Sequence, residues 1–87
     1  MSPTPSHPEI IKRLRRAEGH VRSIIAMLED GRECLEIAQQ MQAVESAIGN
    51  AKKTLVHDHI DHCLEHAVEN GGTRDAIREF KAIAKYL

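Results

Sequence analysis

The sequence predicts an all-α fold: a three-helix protomer with a long central helix, paired antiparallel into a four-helix-type bundle. Three observations carry this. Apolar residues recur at four-three spacing through most of the chain, as on one face of a helix. No segment alternates apolar and polar residues as a half-buried strand does. At 87 residues the chain is one domain with a small core, and such a chain gains stability by associating.

The first helix opens at Ser6-His7-Pro8-Glu9, which fits a capping box with Glu9 three residues past Ser6 and Pro8 in the first turn. Ile10, Leu14, Ala17, Val21, Ile24 and Leu28 then form its apolar seam, and Glu29-Asp30-Gly31 ends it. Gly19 weakens this helix by about 1 kcal/mol relative to Ala, a cost that close packing could explain. A second seam runs through Cys34, Ile37, Met41, Val44, Ile48, Ala51 and Leu55 and keeps step across Gly49-Asn50. The unbroken phase favours one helix from about residue 33 to about residue 69. A hairpin at Gly49 is the competing reading, and it would fold residue 63 back towards residue 34. A helix this long needs a partner along its length. Asn70-Gly71-Gly72 stops it. Thr73 can cap a last helix with Ala76, Ile77, Phe80, Ile83, Ala84 and Leu87 as its apolar stripe. Residues 1–7 are read as a flexible segment ahead of a helical domain at 8–87.

Cys34, His59 and Cys63 carry the chemistry. His59 and Cys63 are four apart, so on a helix they share a face and can grip one metal ion. Cys34 lies 25 residues before His59, which on one helix is roughly 37 Å at about 1.5 Å per residue. It then completes the site only in a second, antiparallel chain. Placing Cys34 opposite 59–63 puts a two-fold axis near residues 47–48, among Val44, Ala47, Ile48 and Ala51, and gives two equivalent sites. Two thiolates and one imidazole are a soft, small set that favours Cu(I), and suits Zn(II) with a fourth ligand. Ni(II) or Co(II) would want more nitrogen or oxygen donors, for which His57, His62, His66 or the N-terminal segment are at hand. For these extra histidines a solvent-exposed role is the simpler reading. A thiol-redox regulator is a further reading of two cysteines, but it needs no histidine in register with them.

Composition removes other classes. No apolar run is long enough to span a membrane, and residues 1–8 look neither like a secretion signal nor like a transit peptide, so a cytoplasmic protein is expected. In that reducing compartment two cysteines read better as metal or thiol chemistry than as a disulfide. No phosphate loop, nucleophile elbow or paired-carboxylate pattern indicates an enzyme. The net charge of −1 hides an asymmetry: residues 1–28 hold five basic residues against two acidic ones, while the remainder holds seven against eleven. A basic first helix is a surface for an anionic partner, weighed against an ordinary solvated face. With one Phe, one Tyr and no Trp, base stacking on single strands is disfavoured.

The stretches Arg-Leu-Arg-Arg-Ala-Glu-Gly-His (13–20), Glu-Cys-Leu-Glu-Ile-Ala-Gln-Gln-Met-Gln-Ala-Val (33–44) and His-Asp-His-Ile-Asp-His-Cys (57–63) together resemble the copper-sensing operon repressor family, CsoR/RcnR, over about residues 8–87. The resemblance implies an antiparallel dimer, often a dimer of dimers, that binds double-stranded operator DNA without metal and releases it on binding metal. Cys34, His59 and Cys63 match the copper-type ligands. Glu79 stands where a carboxylate engages the ligand histidine, and Glu33 stands where copper sensors often have Tyr. Nickel and cobalt members carry a second His at the position of Cys63 and a His near the start, where this chain has Ser2. Formaldehyde-responsive members have Pro after Met1 and an acid at position 63, and persulfide sensors lack the ligand His. Cu(I) is therefore expected, with Ni(II) or Co(II) as the alternative. The expected DNA face holds Lys12, Arg13, Arg15, Arg16, Lys52 and Lys53; Arg13 matches a family arginine tied to DNA binding, while Asn50 replaces another. A metal-buffering protein that never touches DNA is the rival from another class, and it has no use for the basic helix.

Overall fold

The computed structural model describes residues 6–87. They form α1 (His7–Glu29), α2 (Cys34–Asn70) and α3 (Thr73–Ala84). The central helix runs unbroken through Gly49-Asn50, so there is no hairpin. Its 37 residues span about 55 Å at 1.5 Å per residue, and this sets the long dimension of a 58 × 23 × 13 Å molecule.

Each predicted seam is two rows of seven-residue spacing with different fates. Ile10, Ala17 and Ile24 of α1 are buried, as are Ile37, Val44 and Ala51 of α2, and around Ile24, Ile37 and Val44 the core closes with Met27 beside it. Leu14, Val21 and Leu28, by contrast, stay exposed, and so do Met41, Ile48 and Leu55. Cys34 stands seven residues before Met41 and is exposed as well. A protomer thus uses half of its seam internally and presents the other half outward, the pattern expected when a second pair of helices completes a bundle. Around the two-fold axis expected near residues 47–48, Val44 and Ala51 are already spent inside the protomer, leaving Ala47 and Ile48 exposed.

Three local expectations are corrected. Ser6 is the residue before α1, but its hydroxyl makes no cap; the backbone N–H and hydroxyl both donate to Asp58 Oδ2 on α2. That contact pins the start of α1 beside α2. Val56, which lies outside the seam, is buried at this level to 2% exposure. At α3 the cap position is Gly72, whose carbonyl accepts the Ala76 N–H at 3.0 Å, and Thr73 is the first helical residue. Finally, a Cβ on Gly19 would meet nothing within 4 Å, so packing inside the protomer does not account for that glycine. The α1–α2 turn does require one. Gly31 sits at φ +72°, with Gly31 N–H bonded to Leu28 O and Arg32 N–H to Met27 O, the paired bonds of a left-handed helix stop. The segment expected to be flexible, 1–7, lies outside the described residues except for Ser6 and His7.

Among the described residues no helix is long and apolar enough to cross a membrane.

Candidate metal centre

One end of α2 and the middle of α3 meet at His59, Cys63 and Glu79. The pairing follows from α3 folding back after Gly71 (φ +68°), which brings a residue 16 positions past Cys63 alongside it. His59 and Cys63 share a helix face as their spacing predicts, with His59, Ile60, Cys63 and Leu64 facing Ala76, Phe80 and Ile83. His59 and Cys63 are half-buried and Glu79 is exposed.

Glu79 binds both donors. His59 Nε2 lies 3.1 Å from Glu79 Oε1, and the Cys63 thiol donates to Glu79 Oε2 at 3.2 Å. An ionised carboxylate only accepts, so the His59 nitrogen facing it is the N–H, and Nδ1 is the ring nitrogen turned away from Glu79. The shared carboxylate shifts the titrations in opposite senses. Cys63 is raised above the usual thiol value, first by its hydrogen bond to Glu79, then by burial and by the carboxylate's charge. Glu79 is lowered, first by the thiol's hydrogen bond, against a smaller burial effect, with the charge and hydrogen bond of His59 adding to the lowering. Below its raised pKa Cys63 is therefore a thiol clasped to α3 through Glu79.

Candidate ligand atoms of His59, Cys63 and Glu79 all lie within 4.8 Å of one another, and this is the group of three or more such residues found among the described residues. Cys34 is not in it. It is the first residue of α2, exposed, at the opposite end of the helix. Glu33 precedes α2 at that same end, exposed, its carbonyl accepting the Ile37 N–H at 3.1 Å. One protomer thus assembles an imidazole, a thiol and a carboxylate, and leaves the second thiol elsewhere. The cluster fits a cation, and Cys34, the second thiol of the ligand set expected from the sequence, lies outside it at the start of α2. His57, His62 and His66 are exposed.

The basic residues gather on α1. Lys12, Arg13 and Arg16, with Glu9, form one wall of an open cleft of about 380 Å³, and Ala47 and Asn50 of α2 form the other. Arg13 Nε contacts Glu9 Oε1 at 3.5 Å. Arg15, Lys52 and Lys53 are exposed but do not line the cleft. Asn50 was noted in the sequence as a replacement; the cleft shows that it faces the α1 cations, a long-range pairing that spacing within either helix does not reveal.

Comparison with known proteins agrees with this architecture. A family model described as metal-sensitive transcriptional repressor matches residues 6–86. The chain is 39% identical over 77 residues to the copper-sensing transcriptional repressor CsoR of Bacillus subtilis, covering 88% of this chain and 76% of that protein. It is 43% identical over 61 residues to the copper-sensing transcriptional repressor RicR of Mycobacterium tuberculosis, covering 70% of this chain and 64% of that protein. Among solved structures, the nickel-responsive transcriptional regulator InrS superposes with a TM-score of 0.86 at 27% identity, covering 100% of this chain and 99% of that one. The Cu(I)-bound copper-sensing repressor CsoR of Geobacillus thermodenitrificans superposes with a TM-score of 0.84 at 32% identity, covering 98% and 90%. With nearly its whole length matched in sequence and in fold, the chain belongs to the family of metal-sensitive transcriptional repressors, a family without enzymatic activity.

Proposed function

We propose that this protein is a Cu(I)-responsive repressor that holds double-stranded operator DNA in its metal-free form and releases it when Cu(I) binds. The observation that carries the reading is the division of ligands along α2: His59 and Cys63 converge with Glu79 at one end, and Cys34 is exposed at the other. In an antiparallel homodimer, each site takes His59 Nδ1 and Cys63 Sγ from one subunit and Cys34 Sγ from the other. A donor set of two thiolates and one imidazole suits Cu(I). When bound, the ion supplies a cross-link between subunits that hydrogen bonds do not provide. Glu79 keeps Nε2–H of His59 occupied and so orients Nδ1. For Cys63 to ligate as a thiolate, its proton must leave and its bond to Glu79 must break.

The DNA contact in this reading is the cleft of Lys12, Arg13, Arg16 and Asn50 with Arg15, Lys52 and Lys53 nearby, multiplied in a dimer or a dimer of dimers working in the cytoplasm. Such a surface acts by phosphate neutralisation and DNA shape. The antagonism between metal and DNA is a coupling free energy, typically about 1–3 kcal/mol, and it acts equally on DNA and on metal affinity. Ni(II) or Co(II) response is the second reading, favoured by the carboxylate oxygen within the His59–Cys63 cluster and by the likeness to the nickel-responsive InrS.

Fluorescence anisotropy of a labelled operator fragment under reducing conditions tests this. The metal-free protein binds, and stoichiometric Cu(I) lowers affinity by about 5–150-fold. An unchanged affinity with Cu(I) removes the copper reading, and release by Ni(II) alone establishes the second.

A further inference from the structure

One helical turn past the His59–Cys63 stripe, α2 carries another pair of donors that the proposed copper site does not use. His62 and His66 are both exposed and stand four residues apart on an uninterrupted helix. Residues at this spacing have Cβ atoms about 5–6 Å apart. It is the spacing at which two helical histidines hold one Zn(II) ion in H-E-x-x-H sites. At about 100° per residue, the centre of the His62/His66 pair lies about 60° around the helix from that of His59/Cys63. The two pairs are neighbours without being the same site, and neither His62 nor His66 belongs to the His59–Cys63–Glu79 cluster.

The surroundings suit a cation. Residues 54–73 contain Asp58, Asp61, Glu65 and Glu69 and no Lys or Arg. Glu65 stands three residues after His62, and Glu69 three after His66, so each imidazole has a carboxylate on the adjoining helix ridge. A ligating imidazole uses one ring nitrogen and leaves the other to donate a hydrogen bond, so ligation is compatible with other contacts of either ring. No thiol belongs to this pair. Nitrogen and oxygen donors select borderline divalent cations over Cu(I).

We propose that His62 and His66 form a second metal site on each chain, taking a borderline divalent cation such as Zn(II) or Co(II), with water completing the shell. It lets the protein bind a divalent ion while Cys34 and Cys63 hold Cu(I).

Cobalt reads this directly, because thiolate ligation gives an intense charge-transfer absorption that imidazole and carboxylate ligation lacks. The reduced full-length protein is saturated with Cu(I) and then dialysed against Co(II) chloride. One Co(II) per chain is expected, without charge-transfer absorption and without loss of Cu(I). His62→Ala and His66→Ala each weaken Co(II) binding by at least about tenfold and leave Cu(I) stoichiometry intact; circular dichroism confirms that these exposed positions leave the helix folded. Failure to bind Co(II), binding indifferent to both substitutions, or displacement of Cu(I) overturns the proposal. If Cu(I) does not bind while histidine-dependent Co(II) uptake remains, the copper reading falls and this site stands.

Discussion

Mixing two inactive variants should restore metal binding, and by a calculable amount. On an unbroken α2, Cys34 and His59 are 25 positions apart, roughly 37 Å at about 1.5 Å per residue. Thiolate–metal bonds are about 2.3 Å long, so two donors to one ion lie within a few ångströms of each other. No side-chain rotation closes that gap, so on the proposed function each site draws on two subunits. Cys34→Ala then removes both sites of a homodimer, and so does Cys63→Ala. In a heterodimer of the two variants, one site lacks both cysteines. The other has Cys34 from the Cys63→Ala chain together with His59 and Cys63 from the Cys34→Ala chain. Random exchange of equal amounts makes about half the dimers mixed, each with one intact site of two, so the mixture regains about one quarter of wild-type capacity. The assay is Cu(I) bound per chain in competition with a chromogenic chelator, under reducing conditions, with exchange verified by native mass spectrometry. No recovery after verified exchange refutes the shared site. Full-affinity binding by Cys34→Ala alone refutes the role of Cys34.

Replacing Arg13, Arg15 and Arg16 with Gln should lower the salt dependence of operator binding, each lost phosphate contact reducing the slope of log K against log salt by about 0.9; anisotropy across a salt series measures it, and an unchanged slope excludes these residues from the DNA face. Glu79→Gln should bring the raised Cys63 pKa back towards its ordinary value, so Cys63 alkylates faster than in wild type at mildly alkaline pH while Cys34 is unchanged. The same clasp has a pH window. A raised thiol pKa contributes stability that is present below the ordinary value of 9.0 and lost as pH rises through the raised one. A lowered carboxyl pKa contributes stability that is present above the ordinary 4.5 and lost as pH falls through the lowered one. Hydrogen-exchange protection in α3, taken relative to the intrinsic rate at each pH, should therefore be greatest between these limits. Gly19→Ala should stabilise the fold by about 1 kcal/mol, since a Cβ there meets nothing within 4 Å. Gly31→Ala should cost about 1–2 kcal/mol, its φ being +72°; denaturant midpoints at constant m-value separate the two.

The long helix was legible because Gly49 and Asn50 leave the phase of the seam undisturbed, and a hairpin would have shifted it. Which half of each seam is buried was not legible. Ile37, Val44 and Ala51 read the same as Met41, Ile48 and Leu55 in sequence, because a helix that packs on two neighbours shows the sum of both faces. The Ser6 cap was misread for a long-range reason: Asp58, 52 residues away, competes for the hydroxyl that local spacing assigns to the helix end. His59 and Cys63 announced themselves through i,i+4 spacing, whereas Glu79 rested on the family resemblance. Nothing local marks it, since its pairing depends on how the turn through Gly71 and Gly72 lays α3 against α2.

The protomer's construction bears on where a switch could act. Along α2, one seven-residue row is keyed into α1 and the other faces outward, so α1 and α2 share a buried seam from Ile10 to Ile24. The Ser6–Asp58 bonds fasten the far end of α1 next to His59. The cleft that presents Lys12, Arg13 and Arg16 is itself built from both helices through Ala47 and Asn50. A packed core of this kind is bistable or stiff, not continuously deformable. On the proposed function, joining Cys34 of the partner subunit to Cys63 therefore moves one α1–α2 unit against the other and leaves each cleft's own shape alone. DNA affinity then responds to the spacing between clefts, which a polyphosphate reads and a single phosphate does not.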